Sequence, residues 1–118
     1  MAIGDISAIA PIIVTPGTTA AVAATVPSNE EWTIKLARGV CLIVSGGTAP
    51  TLSVGITSAC NELCFNEVVN IPSGSLAGAK NVIGPDMVTI PPSTPIYARA
   101  SAASAVRLTL TGTRKQVS

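Results

Sequence analysis

Residues 87–112 read MVTIPPSTPIYARASAASAVRLTLTG. Within this stretch, residues 95–101 and 104–112 alternate apolar and polar side chains with a period of two, which is typical of half-buried β-strands. The small residues between the two runs allow a turn, so the pattern predicts a β-hairpin. The prolines before the first run cannot donate backbone hydrogen bonds, and they indicate a corner or a sheet edge at that point.

Each run of the predicted hairpin has one apolar face. Successive side chains of a strand point to opposite sides, so the apolar residues of each run fall together. These residues are Ile96, Ala98 and Ala100 in the first run, and Val106, Leu108 and Leu110 in the second. A hairpin is marginally stable alone, and further strands must therefore cover these faces.

The preceding sequence supplies candidates for those strands. Residues 31–45 form the longest alternating segment, with a predicted bulge or bend at Arg38 and Gly39, because glycine inside a strand often marks one. The predicted core face of this segment consists of Trp32, Ile34, Leu36, Val40, Leu42 and Val44. We expect Trp32 to anchor the core rather than to stack on a ligand.

Shorter strands are predicted at residues 18–26, 51–56, 63–71 and 87–90. Seven or eight short strands with frequent turn signals, and no convincing helical pattern, predict an all-β fold. The expected architecture is a single-domain antiparallel β-sandwich or jelly roll.

The two ends of the chain differ from its middle. Residues 1–15 alternate weakly and are expected to form an N-terminal arm or an edge strand. Residues 16–113 would form the sandwich, and residues 114–118 a short solvated tail. The glycine- and serine-rich residues 72–85 are interpreted as a crossover between sheets, with a partner contact as the alternative.

Composition favours self-association. The 118 residues are 47% hydrophobic but only 11% charged and 3% aromatic. A domain of this size buries roughly two-thirds of its unfolded surface, so apolar area would stay exposed on a monomer. Subunit contacts would cover that area, although alanine is also tolerated at surfaces.

Charge and hydropathy exclude several classes of partner. A net charge of +1 argues against nucleic-acid binding, which needs clustered Lys and Arg. No apolar run reaches the roughly 18 residues of a membrane span. The N-terminus lacks the basic start of a signal peptide, so synthesis and assembly are expected in the cytoplasm of the host cell.

No catalytic or metal-binding pattern is present. The chain has no histidine, and its Ser, Thr and Lys residues form no nucleophile motif, so neither enzymatic activity nor a cofactor is expected. Cys60 and Cys64 have a spacing that zinc sites use, but Cys41 is the only other thiol. Buried thiols are therefore predicted, with a disulfide from Cys41 to one of the other two as the alternative.

The most polar patch of the chain is also expected to be inert. It comprises Glu62, Asn66, Glu67 and Asn70. Two carboxylates at this spacing could serve acid–base chemistry or bind a cation. Because no further acid or base lies nearby in sequence, a solvated strand face is the preferred interpretation.

Three segments, in this order, carry a resemblance to a known group. They are VPSNEEWTI at residues 26–34, IPSGSL at 71–76, and GPDMVTIPPSTPIYARASAASAVRLTLTG at 84–112. The chain from residue 26 to residue 112 resembles the small all-β virion proteins of tailed bacteriophages. The resemblance implies a capsid decoration (cement) protein that binds the major capsid protein on the outer head shell. A tail, neck or baseplate component is the alternative, and a homotrimer is favoured.

The apolar N-terminal segment is the candidate contact site for the capsid or a sister subunit. Its candidate residues are Ile3, Ile6, Ile9, Ile12 and Val14. The hypothesis is that residues 3–14 extend from the sandwich. A carbohydrate-binding module is a remote alternative, because such modules present several exposed aromatic residues and this chain has one each of Trp, Tyr and Phe.

Overall fold

The computed structural model describes residues 2–41, 50–68, 80–83 and 87–118, with the backbone alone described for 36–41, 65–68 and 80–83. These residues form ten β-strands and no helix. All strand pairings are antiparallel. The all-β prediction is confirmed.

Six strands form the larger sheet. They are β1 (Ile6–Ala8), β2 (Ile12–Val14), β4 (Glu30–Cys41), β7 (Lys80–Ile83), β8 (Val88–Ile90) and β10 (Val106–Gln116). The long strands β4 and β10 pair at the centre. The short strands β1 and β2 follow each other along the free side of β10, and β7 and β8 do the same along β4.

Four strands form the smaller sheet. They are β3 (Ala21–Thr25), β5 (Thr51–Gly55), β6 (Cys64–Val68) and β9 (Pro95–Ala100), in the order β3-β9-β5-β6. The two sheets bury one common core. Ile34, Leu108 and Leu110 contribute to it from the larger sheet, and Leu52 and Ile96 contribute from the smaller one. This is a single-domain β-sandwich.

The predicted hairpin of β9 and β10 is wrong. The alternation itself is confirmed, because Ile96, Ala98 and Ala100 are buried. However, β9 pairs with β3 and β5, whereas β10 pairs with β4, β1 and β2. The two strands therefore belong to different sheets. Alternation identifies the face that a strand buries but not the strand beside it, and these faces meet across the core.

The predicted bulge at Arg38 and Gly39 is also wrong. Both residues pair regularly with β10. The register shifts instead between Thr111 and Gly112, leaving Lys35 without an opposite residue. The glycine that this bulge requires is Gly112, which lies on the partner strand β10. A Cβ at Gly112 would lie 2.1 Å from the carbonyl oxygen of Thr33.

The N-terminal segment does not extend from the sandwich. Both β1 and β2 pair with β10, so the segment forms edge strands. At the other end, β10 continues to Gln116, and most of the predicted tail belongs to a central strand. Strand β7 lies inside the predicted crossover at 72–85, while residues 72–79 and 84–85 lie outside the described part.

We predict that Gly112→Ala destabilises the fold strongly. The new methyl group would overlap backbone atoms of the adjacent strand, which cannot move away as a flexible side chain could. The expected loss exceeds about 1 kcal/mol of unfolding free energy, measured by urea denaturation. Gly17→Ala is the matched control, because a Cβ there meets nothing within 4 Å. Equal stability of the two variants would contradict the proposed role of Gly112.

Candidate interaction surface and polar pocket

The five N-terminal candidate residues do not share one environment. Ile3 and Ile6 are 74% and 66% exposed. Ile9 is buried, and Ile12 and Val14 are half-buried and pack against the core. Only the first two are therefore available for a contact with another molecule.

Sequence analysis missed a third exposed residue, Ile13, which is 60% exposed. On β2 the even-numbered residues turn inward, whereas Ser7 and Ile9 are the more buried residues around β1. The inward-facing residues are therefore odd-numbered around β1 and even-numbered on β2. Between the two strands, Ile9 donates its backbone N–H to the Gly112 carbonyl at 3.1 Å. The alternation was visible in the sequence, but nothing in it indicated this change.

Ile3, Ile6 and Ile13 define what we call the N-terminal edge surface. All three lie on or beside strands that pair with β10 on one side only among the described residues. Strand β2 also contacts β3, the edge strand of the smaller sheet, where Val22 is 50% exposed. Exposed apolar side chains beside open strand edges are typical of surfaces that bind another chain.

A partly buried polar cluster links this edge to the core. The Trp32 indole donates to Glu30 at 2.9 Å, and Arg114 lies 3.5 Å from the other oxygen of that carboxylate. Arg114 also donates from Nε to the Ser7 hydroxyl at 2.9 Å, which links β10 to β1. The prediction that Trp32 anchors the core is confirmed. Beside this cluster lies a cavity of about 290 Å³, lined in part by Ile9 and Pro27.

The two described thiols are buried and unbonded to each other, as predicted. Cys60 donates to the Ser53 carbonyl at 3.3 Å, and Cys64 donates to the Leu52 carbonyl at 3.6 Å. Burial raises the pKa of the Cys60 thiol, which disfavours the reactive thiolate. The Cys41 side chain lies outside the described part. Among the described residues, no three acidic, Cys or His side chains are grouped to hold a metal ion.

Glu62 has a structural role that its sequence position did not reveal. Its carboxylate accepts hydrogen bonds from the backbone N–H of Ile56 at 2.9 Å, from that of Thr57 at 3.3 Å, and from the Thr57 hydroxyl. Gly55 makes room for it, because a Cβ there would overlap Glu62 Oε1. The carboxylate therefore closes the loop between β5 and β6. The side chains of Asn66 and Glu67, and the whole of Asn70, are outside the described part.

A polar pocket of about 400 Å³ opens on the outer face of the smaller sheet. Ser53 and Arg99 are direct cross-strand partners on β5 and β9, and both line it. Thr51 and Ser101 line it one step further along these strands, where the Ser101 hydroxyl accepts the Thr51 backbone N–H at 2.8 Å. Thr18 completes the polar lining from the loop before β3. Sequence patterning could place these residues outward but could not show a concave site.

The described part also contains no helix that is long and apolar enough to cross a membrane.

Comparison with known proteins gives structural similarities at low sequence identity. No family model matches the chain, and no curated protein matches it. The fold is similar to a chain of the cyanophage Pam1 capsid asymmetric unit, with a TM-score of 0.53 and 16% identity. That alignment covers 98% of this chain and 86% of the other. At this identity the likeness establishes a shared fold.

Two further solved structures are more distant. A chain from the disulfide-linked pili of Bacillus endospore appendages gives a TM-score of 0.46 at 14% identity, covering 100% of this chain and 96% of that one. A pentameric capsid protein isolated from metagenomic phage sequences gives 0.35 at 20% identity, covering 90% and 60%.

We predict that stability falls at low pH partly through Glu62. Hydrogen bonds, the Thr57 hydroxyl first among them, lower the pKa of Glu62 from 4.5 to about 2. Because the folded-state pKa is the lower one, this stabilisation is complete above about pH 4.5 and is lost as the pH falls towards 2. Glu62→Gln should lower the melting temperature at pH 7 and flatten its dependence on pH between 4.5 and 2.

The control is Glu31→Gln, which removes a different carboxylate. Within the described part of the chain, the Glu31 side chain makes no hydrogen bond. Melting curves followed by circular dichroism at several pH values would compare both variants with the unmodified chain. If Glu62→Gln and Glu31→Gln changed the pH profile equally, the effect would be one of general charge and not of the loop.

Proposed function

We propose that this protein is a structural component of a bacteriophage virion. The observation that carries the proposal is the fold shared over 98% of the chain with a protein of a phage capsid asymmetric unit. The ordered sequence segments within residues 26–112 support it independently, because they resemble small all-β virion proteins. Within the virion, we favour a decoration (cement) protein on the outer head shell that binds the major capsid protein.

The chemistry of the described residues suits a binding role. Both described thiols are buried, and the Glu62 carboxylate is engaged by its own loop. What the surface does offer is apolar area at strand edges. A protein that stabilises a shell needs such contacts with its neighbours and needs no reactive group.

The N-terminal edge surface is the proposed contact site. It replaces the extended arm, since deleting residues 3–14 would remove two paired strands together with the buried Ile9. Point substitutions of its exposed residues test the contact without removing core residues. A homotrimer at the three-fold positions of the shell remains part of the proposal, and light scattering of the purified protein tests its mass.

The abundance of the protein in virions distinguishes a head role from a tail role. We expect copy numbers close to that of the major capsid protein, because a cement protein covers the whole shell. Quantitative mass spectrometry of purified virions measures this ratio. A few copies per particle would move the protein to the tail, neck or baseplate, and its absence from particles would overturn the virion role.

We predict that the double substitution Ile6→Ser, Ile13→Ser weakens capsid binding at least tenfold. Burying a large aliphatic side chain contributes about 1.5–3 kcal/mol, and tenfold in affinity corresponds to about 1.4 kcal/mol. Co-sedimentation with capsids prepared without this protein measures binding. The melting temperature should change little, since both residues are exposed.

The matched control for that experiment is Met87→Ser. Met87 is 62% exposed but precedes β8, which pairs with β4 at the opposite side of the larger sheet. It should retain full binding. Loss of binding in the control, or retention in the double variant, would contradict the assignment of the contact to the N-terminal edge.

A further inference from the structure

The exposed residue Ile3 is presented by a turn that hydrogen bonds hold in place. The Asp5 backbone N–H donates to the Ala2 carbonyl at 3.0 Å, which closes a β-turn with Ile3 at its second position. At the third position Gly4 has a φ of +91°, and its N–H donates to the Gln116 carbonyl of β10 at 2.7 Å. The Asp5 carboxylate also accepts the Ala2 backbone N–H at 2.9 Å. Ile3 is therefore a preorganised apolar projection, and it is 74% exposed.

The cavity beside Trp32 combines an apolar lining with one charged pair. The charged residues that line it are Glu30 and Arg114. The apolar residues that line it are Ile9, Ala10, Ile12, Pro27 and Trp32. At about 290 Å³ it lies just below the roughly 300–1,000 Å³ of small-molecule sites, so it suits one side chain of another protein better than a whole ligand.

Arg114 is the more accessible member of the charged pair. Its side chain is 42% exposed, whereas that of Glu30 is 11% exposed. Arg114 donates from Nε to Ser7, and one terminal nitrogen lies 3.5 Å from Glu30. Within the described part of the chain, the other N–H groups of this guanidinium have no partner, so it retains donors for a carboxylate from another molecule.

The turn and the cavity are complementary in chemistry. The turn offers an isoleucine with an exposed carboxylate, Asp5, two positions further on. The cavity offers an apolar hole beside an exposed guanidinium. Ile3 does not fill the cavity of its own chain, since most of its side chain is exposed. We propose that Ile3 of one copy of the protein enters the cavity of a second copy, where Asp5 pairs with Arg114.

This contact joins two different surfaces of the same protein. Such a heterologous contact, repeated from copy to copy, closes a ring, and a three-membered ring is the homotrimer proposed above. The N-terminal edge surface would then serve two partners, with Ile3 contacting a sister copy and Ile6 and Ile13 contacting the capsid. The inference rests on the proposed self-association but not on the virion role, because the purified protein alone is enough to test it.

Sedimentation equilibrium of the purified protein over a concentration series measures the contact. The unmodified chain should associate, and Ile3→Ser should lower the association constant at least tenfold, because it removes the aliphatic side chain from the cavity. Met87→Ser is the matched control, since it removes an exposed apolar side chain at the opposite side of the larger sheet and should leave association unchanged. A monomer at every concentration would overturn the inference, and so would equal effects of the two substitutions.

Substitutions at the cavity test the other half of the contact. Ala10 is exposed, so Ala10→Phe should fill the cavity from outside and weaken association as much as Ile3→Ser does. Ala103→Phe, at an exposed position between β9 and β10, is the control. An equimolar mixture of the Ile3→Ser and Ala10→Phe variants should associate again, because the first keeps the cavity and the second keeps the turn. A mixture of two folded variants that stayed monomeric would contradict a contact between these surfaces.

Asp5→Asn tests the charge pairing while preserving the turn. Asparagine keeps a side-chain oxygen that can accept the Ala2 backbone N–H. Association should weaken severalfold, and less than in Ile3→Ser, because an exposed ion pair contributes less than a buried isoleucine. Glu31→Gln also removes one carboxylate and should have no effect. If Ala10→Phe fails to fold, the Ile3 and Asp5 variants still decide, and unchanged association in either would overturn the proposal.

Discussion

The pairing of β4 with β10 is the constraint on which the rest of the larger sheet depends. All eleven residues of β10 have a partner on β4, and only Lys35 of β4 is passed over. The short strands on both sides align on this pair, since strands of three or four residues have little stability of their own. The bulge at which the register of this pair shifts needs a glycine at position 112, where the two backbones approach too closely for a side chain.

A second register change determines which residues reach the surface at the N-terminal edge, because β1 and β2 pair with β10 in registers that differ by one residue. Ile9 bonds to the Gly112 carbonyl, opposite the bulge, and the segments before and after it face the core with different parity. As a result, Ile6 and Ile13 face outward, while Ile9 and Ile12 face the core. The surface proposed to meet the capsid is thus a consequence of this register change along the side of β10. It is not a property of a separate arm.

Sequence reasoning recovered the features that depend on alternation. The all-β class, the core positions of β5, β9 and β10, and the burial of Trp32 all follow from which side of a strand is apolar. The pairing of β9 with β3 and β5 did not follow, because a strand that buries one face can pair with any neighbour of suitable length. The pocket at Arg99 was beyond reach for a related reason, since its walls come from loops whose closure depends on Glu62 and Gly55.

Several of the few acidic groups accept hydrogen bonds from groups close to them in the chain. Asp5 accepts the Ala2 backbone N–H, Glu30 accepts the Trp32 indole, and Glu62 accepts backbone N–H groups of its loop. These are three of the six acidic residues in the chain. With half of the acidic residues engaged locally, the proposed association through the N-terminal edge would rest on apolar contact. Such contact is little affected by ionic strength.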